Sequence, residues 1–161
     1  MEKLTIRPLN PDDYGELIAL WSENRGIGLR GPDDSREGIT RLLERNPESC
    51  FAAEIGAGET APAGEAGTGI APRFAGAILG AQDGRRAYIY HTAVKEAYRR
   101  KGIGRRLVAA VEEAMKRMSI KKIALVAFRN NKTGNLFWEK MGYAARKDLV
   151  YRNKSLDPLN G

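Results

Sequence analysis

The chain has 161 residues, 42% hydrophobic and 29% charged, which is one ordinary domain's worth of sequence with enough apolar content for a core. No apolar run approaches the ~18 residues a membrane span needs, and one Cys with one His supports neither an internal disulfide nor a metal site. The net charge of +7 is local: between Lys95 and Leu125 ten basic residues stand against three acidic ones, and the rest of the chain is neutral. A local basic patch suits a polyanionic partner better than general solubility does.

In chain order, Leu4 to Pro8 alternates as a strand, and Asn10-Pro11-Asp12-Asp13 opens a helix with a cap residue, a first-turn proline and two acids. Leu17, Ile18, Leu20 and Trp21 form its apolar stripe. The glycine-rich segment Gly26-Ile27-Gly28-Leu29-Arg30-Gly31-Pro32 ends it, and Ser35 caps a second helix running to Arg45. Cys50 to Ile55 reads as a strand. Residues 56–73 are dominated by Gly, Ala, Pro, Glu and Thr, which suggests a flexible surface insertion in a single domain spanning 1–161. Phe74 to Gln82 and Ala87 to Val94 pair across an Asp83-Gly84 turn. Gly102 to Met118 forms an amphipathic helix, Ile123 to Phe128 an apolar strand, and Lys132 to Lys140 a short helix closed by Gly142. Tyr143–Ala145 and Asp148–Arg152 read as a last hairpin. The result is an α+β sandwich: a mixed, mostly antiparallel sheet of six to seven strands flanked by about four helices.

The segment that carries chemistry runs from Tyr90 to Leu107. A strand ends, a basic turn follows, and two glycines one residue apart open an amphipathic helix. The first N–H groups of a helix have no intrahelical partners, and the helix dipole adds positive charge there. Glycine lets a phosphate oxygen approach the backbone, and arginines at the rim supply forked donors. The arrangement suits a pyrophosphate. It departs from a dinucleotide fingerprint, which needs a third glycine where Leu107 stands, and from a P-loop, which needs Gly-Lys-Ser/Thr.

Arg99-x-x-Gly102-x-Gly104, after Val94-x-x-x-Tyr98-Arg99, resembles the cofactor signature of the GNAT N-acetyltransferase superfamily. Asn131 to Tyr143 resembles the family's later motif, with Asn before a short helix that ends in an aromatic, Glu-Lys and Gly-aromatic. The resemblance spans roughly Phe74 to Tyr151. It implies an enzyme that takes acetyl-CoA and moves the acetyl group to a primary amine of a small molecule or protein by direct attack, releasing CoA. Thr92, Ala93 and Val94 would lie along the pantetheine arm, with a backbone N–H near Val94 polarising the thioester carbonyl. Arg99, Arg100, Lys101, Gly102, Ile103, Gly104 and Arg105 would surround the pyrophosphate, mostly through main-chain N–H groups. Asn131 would bond the cofactor arm, cap the next helix, or do both.

Two departures weaken the usual catalytic set. Trp138 stands where the family often has the tyrosine that protonates the leaving thiolate, and an indole N–H is no practical acid. Trp138 is therefore expected to wall the cofactor or to steady the sulfur with its N–H. Val126 stands where some relatives carry a glutamate base, and Gly134 replaces a usual Ala. The remaining candidates for base are Tyr88, Tyr90 and His91. Strand alternation places Tyr88 and Tyr90 on one face and His91 on the other unless a bulge intervenes. Histidine exchanges protons near neutral pH, but a strand histidine also serves as a structural hydrogen-bonder, and Tyr90 also reads as a pocket wall. Glu54 is a more distant candidate. Gly28, Leu29 and Arg30 read either as an acceptor-binding lid or as a plain interhelix loop. The alternative function is a cofactor-binding sensor or interaction module. Neither nucleic acid nor membrane is an expected partner, a homodimer is compatible with the family, and a cytoplasmic location is expected.

Overall fold

A computed structural model describes residues 3–56 and 71–160. The chain order is β1 (Lys3–Pro8), a 3-10 turn (Pro11–Asp13), α1 (Tyr14–Ser22), α2 (Arg36–Arg45), β2 (Phe51–Gly56), β3 (Arg73–Gln82), β4 (Ala87–Val94), a 3-10 turn (Glu96–Tyr98), α3 (Ile103–Arg117), β5 (Ile123–Ala124) and α4 (Lys132–Lys140). The strands form one sheet in the order β1-β2-β3-β4-β5. The first three pairings are antiparallel, and β4–β5, joined through α3, is parallel.

Local chemistry sets the helix starts. Asn10 accepts from the Asp12 N–H while Asp13 accepts from the Asn10 N–H, a reciprocal cap ahead of α1. Ser35 Oγ accepts from Gly38 N–H to start α2, and Asn131 Oδ1 accepts from Gly134 N–H to start α4. Asp83 accepts from the N–H groups of Arg85 and Arg86, and Gly84 takes φ +86°, which closes the β3–β4 turn. The sheet has a core on each face. Leu17, Leu20, Trp21, Ile39 and Leu43 of α1 and α2 pack over Ala52, Ala77 and Ala93. Ile103, Leu107, Val108, Val111 and Met115 of α3 pack over Ala53, Ile78, Ala87 and Ile89.

Arg7 on β1 ties the first elements together. Its guanidinium donates to Asp13 at 2.8 Å through two nitrogens and to Glu54 Oε1 at 2.7 and 2.9 Å. Burial pushes the Asp13 carboxyl up, but the bonds from Arg7 and from the Asn10 N–H outweigh it and hold it below the usual carboxylate range. A carboxyl depressed in the fold contributes stability above its unfolded value and loses it as pH falls through its folded value. Arg7→Met is therefore expected to cost about 2 kcal/mol at neutral pH. The gap from wild type should shrink between neutral pH and a pH below the depressed Asp13 value, because the carboxylate that Arg7 holds is then protonated. Urea unfolding of both proteins at the two pH values measures it.

Three expectations of the sequence need correction. The sheet has five strands among the described residues, not six to seven. The expected strand Ile123–Phe128 is only Ile123–Ala124, paired Ala87↔Ile123 and Tyr88↔Ala124. Beyond that point the Tyr88 phenol meets the Val126 backbone. β5 offers an edge of only two residues, residues 143–152 form no hairpin on it, and Leu149, Val150 and Tyr151 are exposed. The expected insertion at 56–73 falls mostly on 57–70, outside the described residues, while its two ends belong to β2 at Gly56 and β3 at Arg73.

Candidate active site

The site follows from one strand that is bulged and one that leaves early. The β3–β4 register passes from Ile78↔Thr92 to Gly80↔Ile89, so β4 carries one extra residue at Tyr90–His91. Ala87 and Ile89 face α3, whereas Ala93 belongs to the α1–α2 core. His91 stacks edge-on against Trp21 of that same core, with ring centroids 4.8 Å apart. Tyr88 and Tyr90 stack on each other at 4.7 Å. The bulge thus puts two consecutive residues, Tyr90 and His91, on the α1–α2 side, where simple alternation separates them. Gly76 makes the pairing at the end of β4 possible, because a Cβ there would stand 2.7 Å from the Ala93 carbonyl.

Because β5 parts from β4 after Tyr88, the backbone of β4 from Tyr90 to Val94 has a β3 partner on one edge and a cleft on the other. The cleft, of about 2450 Å³, has room for more than one small molecule. It is lined by β4, by the α1–α2 loop, by residues 125–129 and by the starts of α3 and α4.

At one end stands the start of α3. Gly102, in the left-handed region at φ +78°, is its N-cap, and no side chain caps it. The first helical bond runs from Arg106 N–H to the Gly102 carbonyl, which leaves the N–H groups of Ile103, Gly104 and Arg105 ahead of the ladder. A Cβ built on Gly102 meets nothing within 4 Å, so the approach to these donors is open. Gly104 is close to the Phe137 ring, at 3.4 Å for an added Cβ, so it brings α3 and α4 together. Arg100 also takes a left-handed φ of 62°.

The basic side chains divide. Arg99 folds back, Nε donating to the Val94 carbonyl at 3.1 Å and Nη2 to Asn24 Oδ1 at 2.7 Å. Lys101 lies over the Tyr98 ring and does not line the cleft. Arg99, Arg100 and Arg105 do line it. Asn131 is the helix cap, and the crowding of its amide against Gly134 shows why glycine stands there. Trp138 lines the cleft and stacks between Phe137 and Tyr143, with centroids at 5.0 and 5.2 Å.

At the other end, Tyr88, Tyr90 and His91 share the cleft wall with Tyr151. Burial and the neighbouring Tyr151 and Tyr90 push the Tyr88 phenol up to about 12, and burial with Tyr151 and Asp33 raises Tyr90. Both stay protonated at neutral pH, so they can donate and order a proton path, but they are poor bases. His91 Nε2 lies 2.6 Å from Asp34 Oδ1. Asp34 is the residue the sequence reading missed. It sits beside Ser35 and looks like part of a helix start, and nothing local signals a contact 57 positions away. In the α1–α2 loop, Gly28 and Arg30 line the cleft and Leu29 does not. Gly28 packs on the Phe128 ring and Gly26 on Asn131, so the loop reaches across to the α4 side. Glu54 is held by Arg7, away from the cleft.

Cys50 is buried, its thiol lies 3.3 Å from the Gly80 carbonyl, and burial pushes it up to about 12. It is expected to resist a disulfide reagent in the folded protein and to react only on unfolding. Thiol modification with and without denaturant checks this.

The chain matches the model of the acetyltransferase (GNAT) family over residues 15–143. It is 29% identical over 153 residues to an acetyltransferase of Sodalis glossinidius (SG1711), covering 95% of this chain and 96% of the relative. Among solved structures, the aminoglycoside antibiotic 6'-N-acetyltransferase AAC(6')-Ih from Acinetobacter baumannii superposes with a TM-score of 0.68 at 16% identity, covering 96% of this chain and 100% of that one. A ribosomal-protein-alanine N-acetyltransferase from Brucella melitensis biovar Abortus 2308 gives 0.64 at 19% identity, covering 95% and 100%. At these identities the two structures share the fold.

Proposed function

The chain belongs to the GNAT acetyltransferase family, and we propose that it binds acetyl-CoA along β4 and α3 and transfers the acetyl group to a primary amine entering beneath the α1–α2 loop. The observation that carries this reading is the uncapped, glycine-opened start of α3. Ser35 and Asn131 cap α2 and α4 with their own side chains and Asn10 caps the 3-10 turn that leads into α1, whereas the donors at the start of α3 line an open cleft. The backbone N–H groups of Ile103, Gly104 and Arg105, with Arg100 and Arg105 at the rim, fit a diphosphate. The cleft-side edge of β4 fits the amide-bearing pantetheine arm. Bound acetyl-CoA supplies an activated acyl carbon with a thiolate leaving group.

The protein's own task is then to place the amine, remove its proton and exclude water. His91 is the base that the geometry favours, since the neighbouring phenols titrate too high for that role. Tyr90 and Tyr88 line the proton path. Trp138 walls the cleft and leaves the thiolate to take its proton from solvent or from the amine's proton in transit. A thiolate with ordinary pKa ~8.5 tolerates that.

The acceptor class stays at primary amines of small molecules or peptides; the neighbours named for aminoglycosides and for ribosomal-protein alanine span both. The test is CoA-thiol release with acetyl-CoA against a panel of aminoglycosides, polyamines, amino acids and alanine-starting peptides. Turnover with one class supports the reading. CoA binding without turnover on any amine favours the sensor alternative, which the missing acid at Trp138 keeps in play.

A further inference from the structure

Asp34 is a buried carboxylate, 7% exposed, in the loop that precedes α2. Its two oxygens have different partners. Oδ2 accepts the Arg30 backbone N–H at 2.5 Å, and Oδ1 lies 2.6 Å from His91 Nε2. The Tyr14 hydroxyl donates to the Asp34 carbonyl at 3.0 Å and fixes the same residue from α1. The imidazole also makes a T-shaped contact with the Trp21 ring, centroids 4.8 Å apart. Asp34 is its hydrogen-bond partner among the described residues, and the His91 side chain is 18% exposed while that of Asp34 is 9% exposed. The carboxylate is an acceptor only, so neutral His91 must keep its proton on Nε2 and present Nδ1 without one.

Resting on the transferase reading, we propose that Asp34 is the positioning residue that fixes the His91 tautomer, so that Nδ1 receives the acceptor's proton, and that the same carboxylate ties this base to the loop over the acceptor. In the step served, the amine nitrogen bonds the acyl carbon, the carbon–sulfur bond breaks with its electron pair on sulfur, and the proton lost by nitrogen goes to Nδ1. The imidazolium so formed is paired with Asp34 and afterwards gives the proton to the thiolate or to solvent. One contact thus links loop placement to base readiness: if the loop from Gly28 to Asp34 moves, the imidazole loses its fixed orientation.

The substitution Asp34→Asn separates these roles. An amide has one carbonyl oxygen, and the Arg30 N–H requires an acceptor. With the oxygen kept there, the amide NH2 points at Nε2, makes it an acceptor and drives the proton to Nδ1, the wrong tautomer. His91 is the chain's one histidine, so a 15N-histidine spectrum reports this site alone. The expected result is Nε2–H in wild type and Nδ1–H in D34N, with kcat down about 100-fold and the acetyl-CoA KM within about twofold. Asp34→Glu, which keeps an acceptor-only group, is expected to retain Nε2–H and to keep kcat within about tenfold of wild type. Wild-type His91 carrying its proton on Nδ1, or D34N with kcat within about twofold of wild type, overturns the proposal. If D34N does not fold, the wild-type and D34E spectra decide it. Failure of wild-type protein to bind CoA would instead remove the transferase reading, an outcome the tautomer spectra do not share.

Discussion

Gly102→Val is expected to raise the acetyl-CoA KM by at least about 30-fold while costing about 1–2 kcal/mol of stability. The two effects have separate origins. Gly102 holds φ +78° as the N-cap of α3, where an L side chain is strained and a β-branched one more so. That strain acts on folding. A Cβ there meets no protein atom within 4 Å, and Gly102 lines the cleft together with Ile103, Gly104 and Arg105, so the added side chain is expected to take cleft space beside those donors. That obstruction acts on the diphosphate. Thermal unfolding and initial-rate kinetics on one preparation separate the two. A variant destabilised as stated but with an unchanged KM means that this space is not where the cofactor sits.

His91→Ala is the second large effect, an expected loss of about 10²–10³-fold in kcat with little change in acetyl-CoA KM. The imidazole touches Trp21 and Asp34 and lines the cleft beside Tyr90, but it lies on the far side of β4 from the α3 packing. Cofactor affinity is therefore expected to survive its removal. Added imidazole should restore part of the rate, because the cavity left beside Asp34 takes a free ring. Tyr90→Phe is expected to cost about tenfold, since a raised phenol orders a path without accepting the proton. If His91→Ala keeps full activity, the proton leaves by another route and His91 is a structural ring.

The sequence carried the local part of this site well. A left-handed glycine before an amphipathic helix, a cap at Asn131 and Ser35, and an Asp-Gly turn are each written within a few residues, and all are present. It failed where the deciding contact is long-range. Asp34 meets His91 across 57 positions, Arg99 meets Asn24 across 75, and neither pairing has a local signature. Alternation along β4 separates His91 from Tyr90 only in the absence of a bulge, and whether a bulge forms depends on the partner strand's register, not on β4 alone. The C-terminal segment kept its apolar alternation but lost its strand, because the edge it needed ends at Ala124. Residue type set the roles in the cleft, and topology decided which residues reach it.

Calorimetric titration of the wild-type protein with CoA and, separately, with 4'-phosphopantetheine bears hardest on the cofactor site. Main-chain donors at the open start of α3 predict that CoA binds in about the micromolar range and that the fragment, which lacks the diphosphate, binds at least about 100-fold more weakly. Gly102→Val should erase most of that difference by weakening CoA alone. Absence of measurable CoA binding, or equal affinity for both ligands, would refute a diphosphate seat at the start of α3.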